Sequence, residues 1–215
     1  MHTGQVPKAS RTLGIDLASQ PKETGVCLID WSGPVGRVVE LDGASLTDDV
    51  LVGLLLDDAV SKAGIDAPFG WPVAFIDAIS SFRDDGVWMD LEPNEIRFRA
   101  TDTSVWRETG QTPLSVAMSD LAWPAMRCAR LLSRLSTELG AVDRTGAGRL
   151  VEVYPMAALR RWQVIDPSTP PSEWSYKGSA PGRQARREQH LARLQQLLDG
   201  AVEITDVVAA RCGCR

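Results

Sequence analysis

The triplet Gly-Ile-Asp occurs twice in this chain, each time at the end of an apolar segment typical of a β-strand. Asp16 follows Ile15 in "TLGIDLA", and Asp66 follows Ile65 in "AGIDAPF". Burying a carboxylate is costly unless it is paired or binds a metal ion. We therefore expect Asp16 to be a buried carboxylate that is paired or binds a metal ion. The repeat of the triplet indicates the same for Asp66.

The order of apolar segments and turns predicts a mixed α/β fold. The segments "TLGIDLA", "TGVCLIDW" and "GRVVELDGA" are separated by turn residues, which is typical of a three-strand antiparallel meander. A helix is predicted from about Ser45 to Lys62, and the strand "AGIDAPF" follows it, an order that favours a parallel crossover. Further helices are expected at about 120–139, in "MAALRRW" and at 183–198, with a strand at 148–155. Together these elements predict a mixed sheet with helices on its faces.

The 215 residues are expected to form one domain over residues 11–215, after a disordered start at 1–10. Residues 70–118 are rich in tryptophan and proline, and we interpret them as an irregular insertion that forms a binding loop or lid. Cys27 and Cys128 lie in apolar patterns that indicate reduced core thiols. No apolar run is long enough to cross a bilayer, and the N-terminus lacks the apolar core of a secretory signal. These features predict a cytoplasmic protein without a membrane partner.

Charge is distributed unevenly along the chain. Residues 1–94 contain 6 Lys/Arg and 15 Asp/Glu, whereas residues 95–215 contain 17 and 13. The acidic half is suited to cations and the arginine-rich half to phosphate, although solvated surfaces would explain both equally well. The net charge of −5 argues against tight, nonspecific binding of nucleic acid.

A third acidic residue, Glu152, lies in the apolar segment "GRLVEVYP". If the three acid-bearing strands are parallel neighbours, Asp16, Asp66 and Glu152 converge at the carboxyl edge of the sheet, where open α/β sheets bind ligands. Such a cluster favours Mg²⁺ or Mn²⁺, and two such ions catalyse phosphodiester hydrolysis. The structural alternative is that Asp16 caps the turn at Ser19 and Asp66 accepts amides near Phe69. With only two histidines in the chain, a Ser/His/Asp triad or a His-rich zinc site is not expected.

Four further residues are candidates for contact with substrate phosphates. Thr24, in a Thr-Gly turn, offers a hydroxyl near a backbone amide, although plain hairpin turns share this pattern. In "RFRATD", Arg99 and Thr101 supply a guanidinium and a hydroxyl, and the alternative is a surface loop whose arginines pair with Asp102 or Glu95. Lys177 lies in a proline-rich loop, for which a solvated role is the alternative.

The motifs in this order resemble those of a known family. The segments "GIDLA", "TGVCLID", "GIDAPFGWP", "RFRATD", "VEVYPMAALRRW" and "YK" span about residues 12–198. They resemble the bacterial and archaeal domain-of-unknown-function family 429, predicted RNase H-like nucleases. The resemblance implies an RNase H-like fold with a five-stranded mixed sheet, metal ligands at Asp16 and Asp66, and Glu152 as the glutamate of an "EVYP" motif. Relatives carry an acidic, alanine-rich segment after the late helix, so the ending "AVEITDVVAARCGCR" predicts a truncated C-terminus that lacks one metal ligand and one helix.

Three functions remain open from the sequence. The first is a metal-dependent nuclease or phosphodiester hydrolase, in which the three acids bind Mg²⁺ or Mn²⁺ and Arg99 and Lys177 steady a nucleic acid or a phosphorylated small substrate. The second is a phosphotransferase or ATPase of the actin-like superfamily, whose second phosphate-binding turn and adenosine-binding segment are not found. The third is a catalytically inactive binding module, which the unusual C-terminus favours. The sequence does not predict the oligomeric state.

Overall fold

A computed structural model describes residues 10–42, 45–166, 168–170, 173–175 and 181–203. The strands are β1 (Arg11–Asp16), β2 (Gly25–Asp30), β3 (Gly36–Asp42), β4 (Val60–Asp66), β5 (Leu150–Glu152) and β6 (Val202–Glu203). The helices are α1 (Asp48–Leu56), α2 (Val73–Asp85), α3 (Pro93–Arg97), α4 (Ala100–Thr109), α5 (Ala122–Leu139), α6 (Pro155–Arg161) and α7 (Arg183–Leu197). The predicted disordered start lies outside the described residues except for Ser10.

The strands form one sheet in the order β5-β4-β1-β2-β3-β6. Strands β1, β2 and β3 pair antiparallel, which confirms the predicted meander. Strand β4 is parallel to β1, and β5 is parallel to β4, so the predicted adjacency of the three acid-bearing strands is also confirmed. The expected five strands are corrected to six, because β6 pairs in parallel with β3. Only two residues of β6 pair, too few to give a periodic sequence pattern.

The two faces of the sheet differ in character. On the core face, buried strand residues alternate along the chain and pack against α1 and α5. These residues are Leu13, Ile15, Val26, Leu28, Ala63 and Ile65 from the sheet, with Leu51, Leu55, Cys128, Leu131 and Leu135 from the helices. At the intervening positions of β1, Gly14 and Asp16 are exposed. We call this second side the open face.

Residues 70–118 contain α2, α3 and α4, which corrects the prediction of an irregular segment. Two of the three prolines in this segment stand at helix starts: Pro72 is the N-cap of α2, and Pro93 is the first residue of α3. Proline is well tolerated there because the first helical N–H groups have no partner within the helix. The role of this segment as a lid stays a prediction.

The helix predicted to reach Lys62 ends at Leu56 instead. Asp57 forms a turn, in which its carboxylate accepts the Ala59 amide at 2.9 Å and its carbonyl accepts the Val60 amide at 2.9 Å. Such turns compete with helix continuation. The chain then enters β4 at Val60. Among the described residues, none of the helices combines the length and apolar character needed to span a bilayer.

Candidate functional site

The two Gly-Ile-Asp triplets lie side by side on β1 and β4. The residues paired in register are Gly14 with Gly64, Ile15 with Ile65 and Asp16 with Asp66. Adjacent strands are about 4.8 Å apart. Because Ile15 and Ile65 point into the core, the alternation of side chains places both aspartates on the open face. Asp16 and Asp66, the aspartate pair, thus end neighbouring strands at the carboxyl edge of the sheet.

Asp16 is exposed, which corrects the expectation that it lies in the core. It is the last residue of β1, and Gly14, two residues earlier on the same face, has no side chain to cover it. Asp66 beside it is half-buried. Because Asp16 is not buried, it needs no partner to offset a cost of burial. Its exposure instead leaves the carboxylate oxygens accessible to a cation.

Glu152 lies on the core face, so the predicted convergence of three carboxylates is found for only two of them. Strand β5 pairs Glu152 with Ile65, one position before Asp66. A shift of one position in a strand moves a side chain to the other face. Burial and the negative charge of Glu152 together raise the pKa of Cys128 in the core to about 12. Within the described ranges, no group of three or more His, Cys, Asp or Glu side chains is placed to hold a metal ion.

The carboxylate of Glu152 is held by Arg99 and by the loop after β4. Arg99 Nη1 donates to Oε2 at 2.8 Å and Nη2 donates to Oε1 at 2.7 Å. The backbone amide of Phe69 also donates to Oε2, at 2.9 Å. Glu152 therefore joins β5 to the start of α4 and to the loop that follows Asp66.

Arg99 bridges two carboxylates. Its Nε and Nη2 atoms donate to Asp102 at 3.0 and 2.7 Å, in addition to the two bonds to Glu152. Burial opposes the charged form of Arg99, but the hydrogen bonds and charges of Glu152 and Asp102 outweigh it, and the net effect is a raised pKa. The pairing of Arg99 with Asp102, the structural alternative for this motif, is present. This engagement leaves Arg99 little capacity for a substrate phosphate.

The "RFRATD" segment forms a helix start rather than a loop. Arg99 is the N-cap of α4, and the Asp102 carboxylate accepts its backbone amide at 2.9 Å, which satisfies a free donor at the helix terminus. Thr101, the second residue of α4, is exposed. Of the two predicted phosphate contacts in this motif, Thr101 is therefore the accessible one.

Thr24 is buried and faces the protein interior, with only 1% of its surface exposed. Its hydroxyl donates to the Gln20 carbonyl at 3.1 Å and accepts from Arg127 Nη1 at 2.6 Å. A phosphate-binding turn needs this hydroxyl at the surface, so the actin-like alternative receives no support from Thr24. Lys177, the remaining candidate, lies outside the described residues.

Arg144 is a cation at this edge that the sequence patterns do not indicate. It is exposed, its Nη1 donates to the Phe69 carbonyl at 3.3 Å, and the same atom lies 3.7 Å from where a Cβ on Gly70 would be. A single arginine in the glycine-containing segment "DRTGAG" has no periodic or motif signal. Arg144 therefore adds an exposed guanidinium to the loop that follows the aspartate pair.

Comparison with known proteins gives one family. A protein-family model described as "Protein of unknown function (DUF429)" matches residues 14–212, nearly the whole chain. No curated protein and no solved structure matches the chain. The matched region includes both Gly-Ile-Asp triplets and Glu152.

Proposed function

The chain belongs to the DUF429 family, and we propose that it is a divalent-metal-dependent phosphodiester hydrolase that acts on nucleic acid. The observation that carries the proposal is the register of the two triplets, which puts Asp16 and Asp66 on adjacent strands at one sheet edge. Like charges directly opposite each other on neighbouring strands destabilise a sheet. A bound cation removes this repulsion, so cation binding explains why two aspartates lie opposite each other at this edge.

The donor set fits Mg²⁺ or Mn²⁺. Both are hard cations that take carboxylate oxygens, and Mg²⁺ is commonly held by one or two carboxylates, with water and substrate phosphate as the other ligands. Asp16 and Asp66 would hold the ion, whereas Glu152 is engaged by Arg99 on the other face. When bound, such an ion polarises a phosphoryl oxygen and lowers the pKa of a water ligand.

The surroundings of the aspartate pair support a phosphate-bearing substrate. Gly14 and Gly64 lie in register next to the pair, and Gly14 is exposed, so a ligand can approach the backbone of β1 on the open face. Arg144, beside the loop that follows Asp66, is the exposed phosphate-binding group of our proposal. Thr101 is the exposed candidate at the start of α4, where Arg99 instead fixes Glu152. The net charge of −5 favours recognition of a particular segment over nonspecific binding along a duplex.

Cleavage of a substrate panel tests the proposal. Purified protein is incubated with labelled RNA, DNA, RNA–DNA hybrid and branched substrates, with Mn²⁺, with Mg²⁺ or with EDTA. We expect metal-dependent cleavage of at least one substrate. The Asp16→Asn variant should lose about 100-fold or more in rate, because the ion contributes several kcal/mol of transition-state stabilisation.

Asp199→Asn is the matched control. Asp199 is also exposed, but it precedes β6, whose first residue pairs with Gly36 at the start of β3, so it lies towards the opposite edge of the sheet. Cleavage by Asp199→Asn should equal that of the wild type. Equal cleavage by Asp16→Asn, purified in parallel, would show that the activity does not depend on the aspartate pair. A phosphorylated small molecule is assayed in the same way, and its cleavage in the absence of any nucleic-acid cleavage would replace nucleic acid as the substrate class.

A further inference from the structure

A polar cavity lies where the C-terminal ends of α4 and α6 meet. It has a volume of about 170 Å³. Its lining residues are Glu108, Thr109, Arg160, Arg161, Gln163 and Ile165. Thr109 is the last residue of α4, and Arg160 and Arg161 are the last two residues of α6. None of these residues belongs to the proposed metal site.

The guanidinium of Arg160 is fixed in place at this cavity. Its Nε donates to the Thr109 carbonyl at 2.7 Å, which ties the end of α6 to the end of α4. Its Cζ lies 3.4 Å from the centroid of the Trp174 ring, so the planar group stacks on an aromatic face. A fixed guanidinium loses little conformational entropy when it binds a ligand.

In the part of the chain that the structure describes, the half-buried Arg160 has no carboxylate partner, unlike Arg99 and Arg127. Arg99 is bound by two carboxylates, and Arg127 is bound by Asp48 at 2.7 Å. By contrast, the Nη1 atom of Arg160 is buried and has no hydrogen-bond partner among the described residues. Burial lowers the pKa of Arg160. The guanidinium thus carries a charge that no carboxylate within the described ranges neutralises.

The backbone at the cavity is held in an unusual conformation. Gln163 has a φ of 58°, in the left-handed region that non-glycine residues rarely occupy. Its amide donates to the Arg160 carbonyl at 3.0 Å, so this turn follows directly from the end of α6. Strained residues of this kind cluster at ligand sites, where the surrounding structure maintains them.

We propose that this cavity binds a phosphate group through Arg160 and Arg161. Two adjacent guanidinium groups match the charge and the planar oxygen pairs of a phosphate better than those of a single carboxylate. Glu108 lines the same cavity and opposes the anion, which keeps the affinity moderate. The site is separate from the aspartate pair and does not depend on a metal ion.

Isothermal titration with inorganic phosphate, at constant ionic strength and with EDTA present, tests the proposal. We expect the wild type to bind one phosphate per chain and Arg160→Gln to bind at least about 10-fold more weakly, a loss of about 1.4 kcal/mol. Arg160→Gln could weaken binding by destabilising the fold, so a second variant is needed. Arg161 is exposed, so Arg161→Gln is expected to fold normally. This variant should also bind phosphate more weakly than the wild type. Glu108→Gln should tighten binding because it removes a repelling charge. Parallel titrations with a mononucleotide and a dinucleotide identify whether a free phosphate, a phosphomonoester or a phosphodiester binds best.

Two control variants show whether phosphate binding is specific to this cavity. Arg107 is an exposed arginine on α4 that does not line the cavity, so Arg107→Gln should bind phosphate as the wild type does. Asp16→Asn should also bind normally, which separates this result from the outcome of the cleavage experiment. Absence of heat at millimolar phosphate in the wild type, or equal weakening by Arg107→Gln and Arg161→Gln, would overturn the proposal.

Discussion

At the scale of single residues, Cys128 gives the core a measurable pH dependence. Burial, followed by the charge of Glu152, raises its pKa from 9.0 to about 12. A raised pKa in the folded state means that stability is complete below pH 9 and falls as the pH rises towards 12. Between pH 8 and pH 10 we expect the free energy of unfolding of the wild type to fall by about 1.4 kcal/mol more than that of Cys128→Ala. Urea unfolding at both pH values measures this difference.

Leu131→Ala is the control for the pH experiment. Leu131 is fully buried in the same cluster, so its truncation destabilises the core without removing the thiol. This variant should keep the pH dependence of the wild type. An equal pH dependence in wild type and Cys128→Ala would mean that the thiol ionises normally in the folded protein.

One strand position separates Glu152 from the aspartate pair. The sequence correctly indicates that Asp16, Asp66 and Glu152 end neighbouring parallel strands. It does not indicate that Glu152 pairs with Ile65 and therefore faces α5. Apolar patterns around each acid define a strand, but the register between strands depends on backbone hydrogen bonds that no local pattern specifies. The apolar pattern is also wrong about the burial of Asp16, because Asp16 lies with Gly14 on the open face, whereas Leu13 and Ile15 alternate onto the core face.

At the scale of secondary-structure elements, Arg127 joins α5 to three other segments. Its guanidinium is 2% exposed and donates to Asp48 at the start of α1, to the Ala18 carbonyl after β1, and to Thr24 before β2. It also donates to the Leu46 carbonyl at 2.8 Å. These bonds position the segment that leaves Asp16, so Arg127 supports the edge on which the aspartate pair lies.

Replacement of Arg127 by methionine keeps the side-chain volume but removes every one of these donors. We expect Arg127→Met to lower the free energy of unfolding by about 3 kcal/mol or more, because buried acceptors lose their partners. Arg134→Met on the same helix is the control, since Arg134 pairs with Asp49 at the surface and both side chains are exposed. Its effect should stay within about 0.5 kcal/mol. Chemical denaturation measures both losses, and similar losses in the two variants would mean that Arg127 does not hold these segments together.

The sequence predicts the extent of α5 well and most of its buried face. The apolar pattern and the expected core thiol correctly place Leu131, Leu132, Leu135 and Cys128 in the core. The same pattern wrongly adds Met126, which is exposed, and omits Arg127, which is buried. Hydrophobicity alone ranks methionine above arginine, and a buried arginine becomes favourable only when several acceptors surround it. Those acceptors come from segments about 80 to 110 residues earlier in the chain, so tertiary context decides which residue is buried.

At the scale of the whole molecule, the sheet combines a packed core face with an open face that carries the aspartate pair. Local patterns predict the order of the central strands, because they indicate both the meander and the parallel crossover into β4. Local patterns do not predict the sixth strand, because only two of its residues pair and two residues give no periodic pattern. They also do not predict the helices within residues 70–118, because prolines at helix starts resemble helix-breaking residues in the sequence. The RNase H-like fold, the cytoplasmic location and the lid remain predictions.

The proposed function depends above all on the binding of a divalent cation by Asp16 and Asp66, which calorimetric titration with Mn²⁺ measures. We expect saturable binding by the wild type and at least about 10-fold weaker binding by Asp16→Asn and by Asp66→Asn, a loss of the size seen when metal-site residues are changed. Glu152→Gln and Asp199→Asn should bind as the wild type does. Binding that is unchanged in both aspartate variants, or that is lost in Glu152→Gln alone, would show that the aspartate pair is not the metal site.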